Sequence, residues 1–252
     1  MRDMAAAFDG FGFAGGFAAV AGPRPAPPEA EMRIVGAELL PTPDGALWWA
    51  AERMLVVADL HFEKGSTFAR RGQMLPPYDT GETLARLARV VERFAPRVVV
   101  ALGDSFHESE AAGRLLPQHA EMLAGLQRRR EWIWIAGNHD PEIGGRAGGV
   151  EMAELRAGPL RFVHEPLMGA PDGEIAGHLH PVVRVVGRGG SVRRRCFAQD
   201  GRRAVLPAFG AYAGGLSLFH RAFAGLFGAE LKPFVMGRDA VYAIGRANLR
   251  AD

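Results

Sequence analysis

Residues 132–142 read WIWIAGNHDPE. An apolar, strand-like run passes without a break into Gly137-Asn138-His139-Asp140, residue types that strands disfavour. Two readings are open: an ordinary turn, or a strand that carries a reactive group to the end of a sheet. Two earlier stretches end the same way. MLVVA (residues 54–58) runs into Asp59-Leu60-His61, and RVVVAL (residues 97–102) into Gly103-Asp104-Ser105-Phe106-His107. Continuous apolar runs mark strands buried on both faces. In an open α/β sheet, ligands sit beyond the carboxyl ends of such strands, so the three polar clusters are expected to converge.

The chain around these strands alternates strand-like and helix-like patterns. Residues 33–40 and 46–50 read as strands around a turn at 41–45. Asp79-Thr80-Gly81-Glu82 resembles a capping box, opening a helix that runs to Phe94 and is ended by Pro96. A second helix is expected over residues 118–130. Residues 160–164, 174–176, 194–197, 204–207 and 240–244 read as further strands, with a hairpin turn at Gln199-Asp200-Gly201. Strands alternating with helices, then more strands, argue for one α/β domain over residues 31–252. Residues 1–30 are rich in Ala, Gly, Phe and Pro without period and read as a flexible extension. Asp3 and Asp9 flank its short apolar part, which argues against a signal peptide. Strand-like sequence starts directly after Met32, which makes Met32 a second candidate start.

Bulk composition narrows the chemistry. With 48% apolar residues the chain can bury a sizeable core, and no apolar run reaches the roughly 18 residues that span a bilayer. Cys196 is the one cysteine, which fits a reducing cytoplasm and excludes a multi-cysteine metal site. Net charge is +2, and the basic residues are arginine apart from Lys64 and Lys232. Arginine binds phosphates through its fork, so a nucleic-acid partner is one reading; GC-rich codon usage is the other.

Two more clusters follow the first three: His164 after Arg161-Phe162-Val163, and Gly177-His178-Leu179-His180 after Glu174-Ile175-Ala176. Six of the eight histidines fall in the five clusters; His119 and His220 lie outside and read as structural or solvated. In Asp59-x-His61 and His178-x-His180, residues two apart would point to one side of an extended chain. Carboxylates, imidazoles and one Asn amide without thiolate suit Mn, Fe or Zn. Two such ions about 4 Å apart form a clamp for in-line attack on phosphorus. The glycines before Asp104, Asn138 and His178 are expected to let the backbone approach substrate closely, Gly137 above all.

The order D-x-H, G-D, G-N-H-D, H, G-H-x-H over residues 54–181 resembles the calcineurin-like metallophosphoesterases. That resemblance implies a four-layer sandwich of two mixed β-sheets flanked by helices. It also implies two divalent metals, Mn²⁺ first, with Fe or Zn as alternatives. Asp59, His61 and His180 would hold one ion, and Asn138, His164 and His178 the other, with Asp104 bridging. A bridging hydroxide would attack phosphorus, and His139 would assist the leaving oxygen, held by Asp140. The Phe106-His107 pair after Gly103-Asp104 is similar to SbcD-type DNA nucleases, where the second histidine contacts the substrate phosphate. His107 could instead hold Asp104 through a hydrogen bond. The stretches DLHFEKGSTF, GDSFHE, GNHDP, His164-Glu165-Pro166 and LPAFGAYAGG extend the resemblance to the bacterial ligase-associated DNA damage response endonucleases (PdeM).

The narrower resemblance implies a cytoplasmic DNA endonuclease acting on single-stranded or damaged DNA beside an ATP-dependent ligase and a helicase. SbcD-type relatives are often dimers, which makes a homodimer one expectation. Lys64, Arg70 and Arg71, read as a loop near the first cluster, are the expected phosphate contacts. Arg128–Arg130, Arg193–Arg195 and Arg202-Arg203 read as solvated faces before DNA contacts. Two other functions stay open: a phosphatase or phosphodiesterase on a small nucleotide or other phosphoester, and a non-catalytic metal-bound scaffold. No amphipathic membrane helix supports a lipid substrate, and the full ligand set with His139 argues against the scaffold.

Overall fold

The computed structural model describes residues 30–251 apart from 141–144, 146 and 188. The Ala/Gly/Pro-rich extension lies outside the described residues except for Ala30, which packs against the core. The first sheet is formed by β1 (Met32–Ile34), β2 (Ala37–Pro41), β3 (Leu47–Trp49), β4 (Met54–Val57), β5 (Val98–Leu102), β6 (Glu131–Ile135) and β7 (Val150–Met152), in that order. Strands β1 to β4 pair antiparallel and β4 to β7 parallel. The second sheet contains β8 (Leu155–Ala157), β9 (Leu160–Phe162), β10 (Glu174–Ala176), β11 (Pro181–Gly187), β12 (Gly190–Gln199), β13 (Arg203–Val205), β14 (Leu216–Ser217), β15 (Lys232–Met236), β16 (Val241–Ala243) and β17 (Leu249–Arg250). Its path runs β14-β11-β12-β13-β10-β9-β8, with β15 on β12. Both sheets are mixed, as the resemblance implies.

Strand period explains how the sheets pack. Val56, Val100, Ile133 and Ile135 face the second sheet and join Phe162, Ile175, Phe197 and Leu206 in one buried cluster. Leu55, Val57, Val99, Ala101, Trp132 and Trp134 point the other way. They are covered by Leu84, Leu87 and Val91 of α2 (Asp79–Phe94) and Leu123 of α3 (Pro117–Gln127). The outer face of the second sheet is covered instead by C-terminal segments, through Leu218, Phe223 and Leu226.

Several sequence expectations shift. Residues 33–40 are two strands, because Val35 and Gly36 both turn at positive φ, 42° and 87°. A β-branched residue there carries no turn signal. The second helix begins at Pro117, a position where the missing N–H costs nothing, and stops three residues early. The long hairpin β11–β12 was visible in sequence only at residues 194–197. The turn at Gln199-Asp200-Gly201 stands as expected, joining β12 to β13. Lys64–Arg70 is a short helix, α1, and not a loop.

The capping-box reading of α2 fails. Tyr78 is the residue before the helix, and no side chain caps it. Asp79 Oδ2 instead accepts from the Gly65 amide at 3.0 Å, and Thr80 Oγ1 accepts from the Glu63 amide at 2.8 Å while donating to Glu63 Oε1. These buried bonds tie the start of α2 to α1 and so to the Asp59–His61 segment. Thr80→Val, which orphans the buried Glu63 amide, is expected to cost about 1–3 kcal/mol in denaturant unfolding. Glu82→Ala is expected to change stability by under about 0.5 kcal/mol, since exposed Glu82 caps nothing. The reverse ranking would restore the capping box.

Candidate metal centre

The carboxyl ends of β4, β5 and β6 meet those of β9 and β10 across the seam between the sheets. Past their strand ends the first two loops stay zipped: the His61 amide donates to Asp104 O at 2.9 Å and the Phe62 amide to Ser105 O at 2.8 Å. Phe62 and Phe106 face each other in a parallel bridge and bury their rings in the helix-side core. They are the anchors beneath the cluster, a packing role that the motifs containing them did not reveal. A third loop locks on top: Phe209 and Gly210 donate to the carbonyls of Ala58 and Asp59. Arg195, Arg86 and Lys64 then grip the carbonyls of residues 208–213. Burial pushes the Arg195 guanidinium down to about 10.

Two donor sets result. Asp59, His61 and His180 place one ligand atom each within 4.8 Å of one another, as do Asp104, His164 and His178. Each set draws on both sheets. His180 Nε2 lies 3.2 Å from Asp59 Oδ1, and His164 Nε2 lies 3.4 Å from Asp104 Oδ1. The His164 Nδ1–H donates to the Leu102 carbonyl at 2.9 Å, which leaves Nε2 with its lone pair toward the cluster. That nitrogen is 3.1 Å from His178 Nδ1. Buried His61 Nδ1 and His180 Nε2 have no hydrogen-bond partner in the protein. Orphaned imidazole nitrogens beside the Asp59 carboxylate fit a divalent cation in the first set, and in the second the His164 Nε2 lone pair beside Asp104 Oδ1 is a donor of the same kind. Burial, then the neighbouring His180, His107 and His139, lower His61 to about 2; burial, then His164, also lowers His178. Neutral imidazole is the form that binds metal.

The backbone reaches this arrangement by a route the sequence did not suggest. Asp59, His61, Asp104, His178 and His180 all have positive φ, between 45° and 66°. The D-x-H and H-x-H pairs therefore converge through left-handed turns and not through the period of an extended chain. Each such residue costs on the order of 1–3 kcal/mol, a strain that concentrates at functional sites. The glycines have a different role from the one expected. A Cβ on Gly137 would stand 2.1 Å from the Asp104 amide nitrogen, and one on Gly177 would stand 2.7 Å from Asp59 Oδ2. They let ligand segments approach each other; Gly137 makes room for Asp104, not for substrate.

Asn138 and His139 are exposed, and His139 stands beside Asp104 of the second set. The His139 amide donates to Asp104 Oδ1 at 2.9 Å, and its Nε2 is 3.9 Å from Asp104 Oδ2. Its ring is oriented by the His107 carbonyl, 3.0 Å from Nδ1, and stacks on the His107 ring at 5.0 Å. Asp140 does not hold that ring, contrary to expectation. Its Oδ2 accepts from the Phe106 amide at 2.8 Å and so fixes the loop that carries Asp104. Burial, opposed by the Phe106 amide and reinforced by Asp104, raises Asp140 to about 7; a nearby cation would act in the opposite direction. The His107 ring lies 5.5 Å from that of His61 and its Nδ1 is buried without a partner, while Asp104 Oδ1 accepts from the His139 amide instead. Burial, then His139, Lys64 and Arg71, lower His107 to about 4.

Lys64, Arg70 and Arg71 sit on α1 and at its end, close to His107, but none is idle. Lys64 donates to the Tyr212 carbonyl, and both arginines face Glu108. Of the other basic runs, Arg203 is buried against Glu174 and Arg202 pairs with Asp172. His119 is buried in α3, and His220 accepts from the Ala222 amide. Both are structural, as expected. Among the described residues no helix is long and apolar enough to cross a membrane.

Comparison with known proteins agrees with this geometry. The sequence profile of the calcineurin-like phosphoesterase family matches residues 52–191. A crystal structure of the Pseudomonas putida nuclease MPE is similar, with 28% identity and a TM-score of 0.64, covering 86% of this chain and 100% of that one. No curated protein sequence matches the chain. Donor sets that span two mixed sheets, in the segment that the profile matches, place this chain in the calcineurin-like phosphoesterase family as a metal-dependent hydrolase.

Proposed function

We propose that the chain is a two-metal phosphodiesterase that cleaves DNA. The observation that carries this reading is the pair of donor sets lying side by side, with His164 Nδ1 3.9 Å from Asp59 Oδ1 and the rings of His139 and His107 stacked beside them. The solved nuclease of similar fold supports a nucleic acid over a small phosphoester. Asp59, His61 and His180 would hold one ion, and His164, His178 and the Asn138 amide the other, with Asp104 reaching both. Divalent ions of the Mn²⁺ type, when bound, supply Lewis-acid stabilisation of the phosphoryl group and a nucleophile at neutral pH.

The chain's own groups account for the remaining steps. The His107 carbonyl only accepts, so His139 Nδ1 keeps its proton and Nε2 is the nitrogen that faces the reacting phosphate. As the imidazolium, His139 would give its Nε2 proton to the leaving oxygen and be left neutral with its proton on Nδ1, and the fixed ring avoids a reorientation cost. Neutral His107, lying over His139, would accept or donate one hydrogen bond to a phosphate oxygen. Asp140 acts at one remove, by holding the Phe106 amide and with it Asp104. A place in DNA repair, beside an ATP-dependent ligase and a helicase, is the biological setting that the motif resemblance supports.

A Mn²⁺-supplemented panel of single-stranded DNA, duplex DNA, a chromogenic phosphodiester and a phosphomonoester tests the substrate class. Cleavage of DNA and of the diester is expected; turnover of the monoester alone would refute the proposal. His139→Ala is expected to retain both metal equivalents by elemental analysis and to lose roughly 10²-fold or more in kcat. Normal turnover would remove His139 from the mechanism. Asp104→Asn is expected to bind less metal than the parent, and two full equivalents in that variant would exclude the shared ligand.

A further inference from the structure

Glu108 follows His107 directly and lies on the rim of the site, where the ligand sets have no use for it. Its Oε1 accepts from Arg114 Nη2 at 2.6 Å, and Arg114 also donates to Thr67 Oγ1 at 2.9 Å. That arm is a structural tie between α1 and the segment after His107. The same carboxylate faces two more guanidiniums at looser distances. Arg70 Nη1 is 3.4 Å from Oε1, and Arg71 Nη2 is 3.7 Å from Oε2. Arg70 also comes within 3.8 Å of Glu110.

The two arms differ in kind. The Arg70 and Arg71 side chains are 57% and 65% exposed, against 23% for Arg114. Exposed pairs of this length are worth about 0–1 kcal/mol, so either arginine leaves Glu108 at little cost. The fork that grips a carboxylate also grips a phosphate. Position supports the exchange. Phe68, between Lys64 and Arg70 on α1, packs its ring 5.5 Å from that of His107. The charges of Lys64 and Arg71 are both felt at the His107 ring. Lys64 itself rests on a carbonyl oxygen.

We propose that Glu108 stands in for a substrate phosphate: a polynucleotide strand replaces it on Arg70 and Arg71 with the phosphates that flank the cleaved bond. This rests on the polynucleotide reading above. A substrate with one phosphate has no flanking group to offer and leaves the arginines on Glu108. Glu108 is thus a positioning residue that makes the rim respond to chain length and not to the scissile group alone.

Kinetics on a single-stranded oligonucleotide and on a chromogenic phosphodiester, over a series of salt concentrations, tests the exchange. Glu108→Gln keeps its shape and a hydrogen bond for Arg114. It is expected to lower KM for the oligonucleotide by about threefold or more relative to KM for the diester. The double variant Arg70→Ala/Arg71→Ala, altered at exposed side chains, is expected to lose at least about tenfold more kcat/KM on the oligonucleotide than on the diester. Its log–log salt dependence should be shallower by about 1.4, from two lost phosphate contacts on a single strand. Equal effects of both variants on the two substrates, or an unchanged salt slope, would overturn the exchange while leaving the nuclease standing. A parent enzyme that cleaves the diester and no oligonucleotide would overturn the polynucleotide reading and the exchange together.

Discussion

The centre depends on the seam between two sheets. No single sheet owns a complete donor set: Asp59 and His61 come from the first and His180 from the second, and Asp104 meets His164 and His178 in the same way. The distance between donors is therefore set by the buried packing of Val56, Val100 and Ile135 against Phe162, Ile175 and Leu206. Close-packed interiors transmit small displacements, so a change in volume along this seam is felt at the ligands. Hydrogen bonds across it, such as the His178 amide donating to the Asp59 carboxylate at 3.0 Å, complete the join.

The loops are the second constraint. Five of the donors sit in left-handed conformations without being glycine, and the surroundings hold them there. Phe62 and Phe106 bury beneath them, the Phe209–Gly210 segment bonds from one side, and α2 reaches over through Asp79 and Thr80. The conformational cost is met before any ligand arrives. A centre arranged in advance needs no reorganisation when charge develops on the phosphoryl oxygens.

Much of this was legible in the sequence, for identifiable reasons. Buried parallel strands are written as unbroken apolar runs, so β4, β5 and β6 and the clusters at their ends stood out. Metal-binding chemistry uses few residue types, so the clusters stood out, and six of the seven residues that the resemblance implied as ligands lie in the two donor groups. What remained hidden was geometry with no residue signature. Left-handed turns at Asp59 and His61 look like any Asp and His. Asp79-Thr80-Gly81-Glu82 has the letters of a capping box but spends them on Glu63 and Gly65. Asp140 next to His139 suggested a ring partner, yet the adjacent carboxylate turns back to Phe106 and a carbonyl from His107 takes its place. The arginine-rich stretch 191–195 masked β12, because its side chains read as a solvated face.

The central claim is that one ion sits in each of two donor sets built across the sheet seam. Anomalous diffraction from crystals grown with Mn²⁺ measures it directly. The account predicts two peaks, one bounded by Asp59, His61 and His180 and the other by Asp104, His164 and His178 with the Asn138 amide turned toward it. A single peak, or a peak ligated by His139, would contradict it.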